Sequence, residues 1–289
     1  MKTLTDKKQK KAEKISNTTL VKYERLKNIL KKMGKVLVAF SGGVDSTFLL
    51  KVAHDLLAEN VLAVIASSET YPEQERQKAA TLARKLNIRY KIIHTNELEN
   101  PRFISNPPQR CYFCKKELFS RLKKIAKVEG ISYILDGSND DDRLDFRPGA
   151  KAARELGVRS PLREARLGKQ EIRQLSRRFN LPTWSKPSLA CLASRFPYYS
   201  KIDTKSLKQV ARAENYLRRI GFSQIRVRHH GRTARIEIEA DEFQRIIEKR
   251  VRETIVRNFK KFGYIYVTLD LSGYRTGSMN ESLEEISEP

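Results

Sequence analysis

The sequence has no hydrophobic run long enough to cross a membrane. Its longest apolar segments lie at 61–66 and 264–269, well short of the ~20 residues that a spanning helix needs. The lysine-rich N-terminus is not followed by an apolar stretch, so we do not expect a secretory signal. Acidic residues and lysines in place of arginines make it a poor organellar transit peptide as well. We therefore predict a cytoplasmic protein without membrane contact.

Cysteine is scarce as well. Three cysteines in 289 residues exclude the disulfide framework that is typical of small secreted domains. Cys111 and Cys114 form a C-x-x-C pair, and Cys191 stands alone further along the chain. In a cytosolic chain, such a set is more typical of metal binding, redox chemistry or nucleophilic catalysis than of crosslinking.

Acidic residues are the minority charge. There are 34 Asp and Glu against 58 Lys and Arg, which gives a formal net charge of +24. The excess lies at the two ends, because residues 1–35 hold 12 basic and 3 acidic groups and residues 166–289 hold 25 and 14. This balance indicates an anionic partner, either nucleic acid or a phosphorylated small molecule. The alternative is a charge that serves only solubility.

Short apolar runs alternate with amphipathic segments over the first half of the chain. We predict strands at 35–40, 61–67, 89–94 and 133–136, and helices at 18–33, 47–58, 72–86 and 112–127. This alternation is typical of βαβ units. It predicts an α/β fold with a doubly wound parallel sheet.

A second, smaller α/β domain is expected after residue 165. A helix at 169–179 and a loop rich in proline lead to a helix at 204–220, strands at 224–228 and 234–239, a helix at 241–258 and a strand at 264–269. We therefore divide the chain into a basic arm with a leading helix (1–34), a first domain (35–165), a second domain (166–278) and an acidic tail (279–289).

A phosphate-binding loop is predicted where the first strand meets the helix that follows it. The loop reads Ser41-Gly42-Gly43-Val44-Asp45-Ser46. Its two glycines allow backbone N–H groups to approach an anion, and the helix N-terminus adds partial positive charge. It matches neither the G-x-x-x-x-G-K-[ST] nor the G-x-G-x-x-G fingerprint. An aspartate beside phosphate is costly unless it orients a donor or a metal ion.

This hexapeptide resembles the loop of the PP-loop ATP pyrophosphatases, which have a Rossmann-like, adenine nucleotide alpha hydrolase fold. The resemblance implies that Ser41, Gly42, Gly43, Asp45 and Ser46 bind ATP. It also implies that the enzyme cleaves ATP between the α and β phosphates and adenylates a carbonyl oxygen. A carboxylate from Asp140, Asp141 or Asp142 could share Mg²⁺ with the phosphates, since magnesium prefers carboxylate and phosphate oxygens.

Four further segments resemble the LarE family, the ATP-dependent sulfur-inserting enzymes of nickel-pincer cofactor synthesis. They are 106–119, 136–149, 184–195 and 225–231. The resemblance implies a small-molecule substrate, pyridinium-3,5-biscarboxylate mononucleotide. One of its carboxylates would be adenylated, and sulfur would then displace AMP to give a thiocarboxylate. It also implies a homo-oligomer, often a hexamer, and leaves the sulfur donor open.

The three cysteines carry the predicted sulfur chemistry, because a thiolate is a strong nucleophile. Some LarE proteins have only the cysteine that matches Cys191 and give up its sulfur. This chain is of the three-cysteine type, for which the resemblance implies a [4Fe-4S] cluster held by Cys111, Cys114 and Cys191. Zinc with His229 or His230 as the fourth ligand, a redox pair that regenerates a persulfide on Cys191, and three buried apolar side chains are the alternatives.

Two arginines are candidate substrate ligands, because Arg226 and Arg228 are i and i+2 on a strand and point to the same face. Guanidinium groups on one face suit a phosphate or carboxylate. By resemblance, the other candidates are Arg195, Arg275, Trp184, Glu214 and Glu237, the two glutamates as groups that order the arginines or a metal ion. The chain departs from the family motif at Pro197-Tyr198-Tyr199, where Pro-Tyr-Gly is usual, and this bears on the geometry of the turn.

Two other functions compete with this hypothesis. A tRNA thiolase of the same superfamily would explain both the charge and the cysteines, although no RNA-binding module is recognisable and we do not expect a nucleic acid partner. Binding of tRNA to such an enzyme would weaken steeply as the salt concentration rises. An ATP-binding scaffold without catalysis is the third class, and it would release no pyrophosphate.

Overall fold

The computed structural model describes residues 15–143, 148–187, 190–275, 277–279 and 281. Its helices are α1 (Asn17–Met33), α2 (Val44–Leu57), α3 (Glu73–Lys85), α4 (Pro101–Ile104), α5 (Arg110–Val128), α6 (Pro148–Glu155), α7 (Pro161–Glu164), α8 (Lys169–Arg178), α9 (Thr204–Arg219), α10 (Phe243–Ile247) and α11 (Lys249–Lys261). Its strands are β1 (Val36–Ala39), β2 (Val61–Ser67), β3 (Tyr90–His94), β4 (Tyr133–Leu135), β5 (Ile225–His230), β6 (Thr233–Ile238) and β7 (Tyr266–Leu269). The predicted basic arm up to residue 14, motif residues 145–147, residues 188 and 189 and most of the acidic tail lie outside the described residues.

The first four strands form a parallel sheet in the order β3-β2-β1-β4. Val36 of the central strand β1 pairs with Val61 on one side and Tyr133 on the other. Side chains of a strand alternate between its faces, and here both faces are covered. Val36 and Val38 pack into a core with α1, α2 and α8, whereas Leu37 packs into a second core with α5 and α6. The predicted α/β class with a doubly wound parallel sheet is confirmed.

Helix α8 belongs structurally to the first of these cores. Its residues Ile172 and Leu175 are buried beside Phe48 and Leu49 of α2. After residue 165 the chain therefore still packs against the first sheet through α8. The domain boundaries drawn from the sequence stay predictions.

The second sheet contains β5, β6 and β7 in that order. Strands β5 and β6 form an antiparallel hairpin in which Arg226 pairs with Glu237, and β7 adds parallel to β6. Helix α9 packs on this sheet through Ala213 and Leu217. The single helix predicted at 241–258 is wrong, because the backbone is extended at Glu248 (φ −51°, ψ 131°) and separates α10 from α11.

Among the described residues, no helix is both long and apolar enough to cross a membrane. This agrees with the short apolar runs of the sequence.

Candidate active site

The phosphate loop lies between the end of β1 and the start of α2, as its sequence predicts. The hydroxyls of Ser41 and Ser46 are hydrogen-bonded at 3.0 Å, which closes the loop on itself. Gly42 has φ +68°, and a Cβ there would lie 2.9 Å from the Cβ of Ala79, so conformation and space both require glycine. Gly43 caps α2 without a side chain. The first N–H groups of α2 are therefore available to an anion.

Two lysines from the chain after residue 165, Lys169 at the start of α8 and Lys186 in a loop, reach this phosphate loop. Lys169 Nζ donates to Asp45 Oδ2 at 2.5 Å, and Lys186 Nζ donates to the carbonyl of Gly42 at 2.8 Å. Lys186 also pairs with Glu75 at 2.7 Å. Asp45 thus orients a donor, which is one of the two roles that its sequence position suggests. Its other oxygen, Oδ1, is buried and has no hydrogen-bond partner among the described residues.

Each strand of the first sheet contributes to the same edge. After β2 comes Tyr71, after β3 comes Glu97, and after β4 comes Gly137, which packs against the start of α2 so closely that a Cβ would lie 3.0 Å from the nitrogen of Ser46. Open α/β sheets bind their ligands at the carboxyl ends of the strands. The first sheet therefore gathers its polar loops around the phosphate loop.

Tyr71 connects the phosphate loop with Cys191. Its hydroxyl donates to the carbonyl of Ser41 at 2.8 Å. Burial, the carboxylate of Glu75 and the nearby Cys191 thiol together raise the pKa of Tyr71 to about 12. The phenol consequently stays protonated and keeps its donor at neutral pH. The backbone of the cysteine segment is attached to the same loop, since the N–H of Leu192 donates to the carbonyl of Thr70 at 2.8 Å.

The three cysteines come from two segments that the fold brings together. Cys111 is exposed, while Cys114 and Cys191 are partly buried. Burial raises the pKa of the Cys114 thiol well above its usual range, and the charges of Glu97, Cys191 and Cys111 add to that rise. The Cys114 thiol also donates to Glu97 Oε1 at 3.5 Å. Among the described residues, no three His, Cys, Asp or Glu side chains are arranged to hold a metal ion.

Asn106 joins the two cysteine segments. Its amide donates to the carbonyls of Phe196 and Pro197 at 3.2 and 2.7 Å, and its own carbonyl accepts from the N–H of Tyr199. This residue is fully buried. The loop before α5 is therefore fixed to the loop that follows Cys191.

Arg195 and Glu214 form a buried ion pair beneath the Cys191 turn. Their side chains are 1% and 0% exposed, and the two hydrogen bonds measure 2.7 and 3.1 Å. Nη1 of Arg195 donates to the carbonyls of Ala190 and Cys191, both at 3.0 Å. Burial alone would raise the pKa of Glu214, yet Arg195, Arg218 and Arg226 lower it to about 2. This pair fixes the backbone that carries Cys191.

A second ion pair lies on the hairpin. Arg228 binds Glu237 through two hydrogen bonds of 2.8 and 2.9 Å and also donates to the carbonyl of Ser194 at 2.6 Å. Its neighbour Arg226 lies with its guanidinium 5.0 Å from the ring centroid of Tyr274. Burial and the positive charge of Arg195 lower the pKa of Arg226 to about 10. The two glutamates predicted at the site thus order arginines in the structure.

Comparisons with known proteins identify relatives of this chain. Residues 18–128 fit the NAD synthase family. Over 92% of its length the chain is 39% identical to the pyridinium-3,5-bisthiocarboxylic acid mononucleotide synthase of Lactiplantibacillus plantarum, of which it covers 96%.

The chain belongs to the LarE family, the family of that synthase. It is also 44% identical to an uncharacterized protein of Synechocystis over 91% of its length, covering 98% of that protein. An uncharacterized protein of Methanocaldococcus jannaschii is 33% identical over 89% of the chain, with 98% of that protein covered. The family and the PP-loop domain together identify an ATP-using sulfurtransferase enzyme.

Two candidate ligands of this LarE-family chain contact other parts of the molecule. Trp184 is 39% exposed, and the guanidinium of Arg177 lies 5.0 Å from its ring centroid. Arg275 pairs with Glu281 at 3.1 Å and lies 4.0 Å from Asp270. Their proposed roles toward the substrate stay predictions.

Other candidates have structural roles in the described chain. Burial lowers the pKa of His229, which is hydrogen-bonded to the hydroxyl of Tyr264. Asp141 accepts the N–H of Lys169 at the start of α8, and Asp142 accepts the N–H of Asn139. The acidic run is therefore a hydrogen-bonded turn at the edge of the site.

Sequence reasoning did not identify Tyr71, Glu75, Glu97 or Lys169. Tyr71 and Glu97 follow strands β2 and β3, Lys169 begins α8, and none of the four belongs to a recognised motif. The available signal was their position, because residues just after parallel strands of an α/β sheet meet at one edge.

Proposed function

We propose that the enzyme adenylates a carboxylate of pyridinium-3,5-biscarboxylate mononucleotide and then transfers sulfur to it. A carboxylate oxygen would attack the α-phosphorus of ATP, and pyrophosphate would leave. A sulfur nucleophile would attack the resulting acyl adenylate, and AMP would leave to give a thiocarboxylate. The observation that carries the proposal is the direct connection between the phosphate loop and the Cys191 segment. The hydroxyl of Tyr71 donates to the carbonyl of Ser41, and the N–H of Leu192 donates to the carbonyl of Thr70.

The phosphate loop supports the ATP half of this reaction. The open N-terminus of α2 and the hydroxyls of Ser41 and Ser46 suit the pyrophosphate that leaves. Lys169 and Lys186 bring positive charge to the same loop. The buried, unpartnered Oδ1 of Asp45 fits a bound Mg²⁺, which would neutralise charge on the phosphates.

The arginine-rich face of the hairpin supports the acceptor half. The substrate carries ring carboxylates and a phosphate, and anions of this kind bind guanidinium groups well. Arg226 remains cationic at neutral pH with a pKa of about 10. Glu214 and Glu237 hold Arg195 and Arg228 in place, so the positive side chains need little rearrangement when an anion binds.

The sulfur source is a further part of the proposal, and it involves the three thiols. Their chemistry fits a [4Fe-4S] cluster, and we propose that Cys111, Cys114 and Cys191 hold one, which would supply a renewable sulfide. The alternative is sacrificial transfer from Cys191, in which its thiolate attacks the acyl adenylate. Loss of the Cα proton to a base, with cleavage of the Cβ–S bond, would then leave dehydroalanine in the protein and release the thiocarboxylate product.

The test of the activity uses the full-length protein with ATP, Mg²⁺ and the dicarboxylate mononucleotide. We expect pyrophosphate release that depends on the mononucleotide, and a product heavier by the exchange of oxygen for sulfur. Cys191→Ala should still release pyrophosphate but form no thiocarboxylate, whereas Cys191→Ser controls for the shape of the turn. Pyrophosphate release at the same rate with and without the mononucleotide would contradict the proposed substrate.

A second measurement separates the two sulfur sources. Protein purified without oxygen is assayed for iron and acid-labile sulfide, and the mass of Cys191 is measured after turnover. The cluster predicts about four irons per chain, which Cys111→Ala should remove, and an unchanged Cys191. Iron-free protein whose Cys191 loses the mass of H₂S would instead establish sacrificial transfer.

A tRNA thiolase remains the second candidate because of the net charge of +24. Binding of unmodified tRNA that falls steeply between low and physiological salt, together with sulfur incorporation into the RNA, would favour it. We also propose a cytoplasmic homo-oligomer, which light scattering of the purified protein would test.

A further inference from the structure

Arg110 is a buried cation with too few partners. It is the first residue of α5, it directly precedes Cys111, and only 3% of its surface is exposed. Its Nε and Nη1 are both buried and have no hydrogen-bond partner among the residues that the structure describes. Buried guanidinium groups in proteins are normally paired.

The contacts that Arg110 does make are weak ones. Its Nη2 donates to the thioether sulfur of Met279 at 3.7 Å, and its guanidinium lies 5.2 Å from the ring centroid of Tyr198. Thioether sulfur is a poor acceptor, and an aromatic face offsets only part of the desolvation of a cation. No carboxylate within the described ranges supplies the missing counter-charge.

Two other buried arginines of the site, Arg195 and Arg228, differ from Arg110 in this respect. Arg195 binds Glu214 through two hydrogen bonds, and Arg228 binds Glu237 in the same way. The chain therefore contains a carboxylate for each of them but leaves Arg110 with a sulfur atom and a ring. Such a difference points to a ligand that brings its own negative charge.

Helix α5 adds to the attraction for an anion. In the described chain its first turn holds no acidic residue, and Gln109 does not cap it with a side-chain hydrogen bond. The helix dipole favours a negative charge there. The segment that contacts Arg110 also reaches the hairpin, because Ser278 accepts a hydrogen bond from Arg228 at 2.8 Å.

We propose that Arg110 binds an oxyanion of the acceptor substrate beside the cysteines. The inference rests on the proposed function for the identity of that substrate, whose carboxylates and phosphate share this chemistry. Bound there, the oxyanion would replace the absent counter-ion of Arg110 and hold the acceptor next to Cys111.

Three probes distinguish the two sources of the oxyanion. Nicotinate mononucleotide carries a phosphate and a ring carboxylate, nicotinamide mononucleotide carries the phosphate alone, and pyridine-3,5-dicarboxylate carries only carboxylates. Binding of each to the full-length protein is measured by calorimetry without ATP. Arg110→Gln should weaken the binding of nicotinate mononucleotide about 10- to 100-fold, as expected for the loss of a hydrogen bond to a charged group. An equal loss of affinity for nicotinamide mononucleotide would identify the phosphate as the group that Arg110 binds. A loss of affinity for the dicarboxylate would identify a carboxylate instead.

The controls keep the test decisive. Arg102→Gln removes an exposed arginine of the neighbouring α4 and should leave all three affinities unchanged. If Arg110→Gln does not fold, Arg110→Lys keeps the charge but not the fork, and an affinity loss of about tenfold is expected. Unchanged binding of all three probes in a folded Arg110 variant overturns the proposal. Because no turnover is needed, absence of sulfur transfer would refute the proposed function and leave this result intact.

Discussion

The buried pair of Arg195 and Glu214 predicts a large and pH-dependent contribution to stability. In the folded chain the pKa of Glu214 is about 2 instead of its ordinary 4.5, which corresponds to about 3 kcal/mol of folding free energy at neutral pH. Removal of one partner from a buried pair elsewhere costs about 3–5 kcal/mol. Glu214→Gln should therefore lower the free energy of unfolding by about 3 kcal/mol at pH 7.

The sign of the pH dependence follows from the lowered pKa. A carboxyl group with a depressed pKa stabilises the fold above its unfolded pKa and loses that contribution as pH falls. The difference in the free energy of unfolding between wild type and Glu214→Gln should then stay constant down to about pH 5 and become smaller toward pH 2. Urea unfolding followed by circular dichroism, at several pH values, measures it.

A matched control is available on the neighbouring strand segment. Glu239 is exposed, so Glu239→Gln should change stability by less than about 0.5 kcal/mol. A loss below about 1 kcal/mol for Glu214→Gln at pH 7, or a gap that does not change with pH, would refute the reasoning.

Three further outcomes are expected. Lys169→Gln removes the cation from Asp45 and should weaken ATP binding about tenfold by calorimetry; unchanged affinity would contradict its role. Tyr71→Phe loses the donor to Ser41 and should slow pyrophosphate release about fivefold, and an unaltered rate would show that the hydrogen bond is dispensable. Tyr199 has φ +65°, so Tyr199→Gly should raise stability by about 1 kcal/mol in thermal unfolding, whereas Tyr199→Ala, which keeps a Cβ, should give no such gain.

Elements whose signals are local were predicted well. Strand β2 was placed at 61–67 and has those bounds, because an apolar run between turn residues leaves few alternatives. The break at Glu248 was missed, since no proline or glycine marks it and its neighbours are ordinary helix formers. Helix α6 was missed as well, because its first residues, Pro148 and Gly149, indicate a loop.

The residues of the site likewise fall into two groups, those with a local sequence signal and those that only packing brings together. The phosphate loop is contiguous in sequence, so its position before α2 could be predicted from six residues. The partners of the arginines could be proposed as ordering groups, but which glutamate binds which arginine depends on how β5, β6 and α9 pack. Glu97 became visible only through its burial and its unpartnered oxygen, two properties that a sequence does not display.

The turn at Tyr199 shows how a departure from the family motif is accommodated. Glycine usually occupies this position in the motif, and here a tyrosine adopts the left-handed backbone conformation instead. The residue is exposed, so its side chain meets no steric barrier, and its N–H is held by the carbonyl of Asn106 at 2.9 Å. The left-handed conformation of Tyr199 therefore carries a local conformational cost of about 1–2 kcal/mol.

The proposed chemistry poses an electrostatic problem that this arrangement addresses. ATP is polyanionic, and a thiolate placed beside its phosphates would be repelled and would lose nucleophilic access to the acyl adenylate. Between the phosphate loop and Cys191 the fold places Tyr71, a side chain that stays neutral because its pKa is about 12. Lys169 and Lys186 supply positive charge on the phosphate side, and Arg195 holds the cysteine backbone from below. In the proposed reaction, a neutral donor flanked by cations lets the phosphates of ATP and a thiolate lie near the same substrate carboxylate, which a carboxylate at position 71 would oppose.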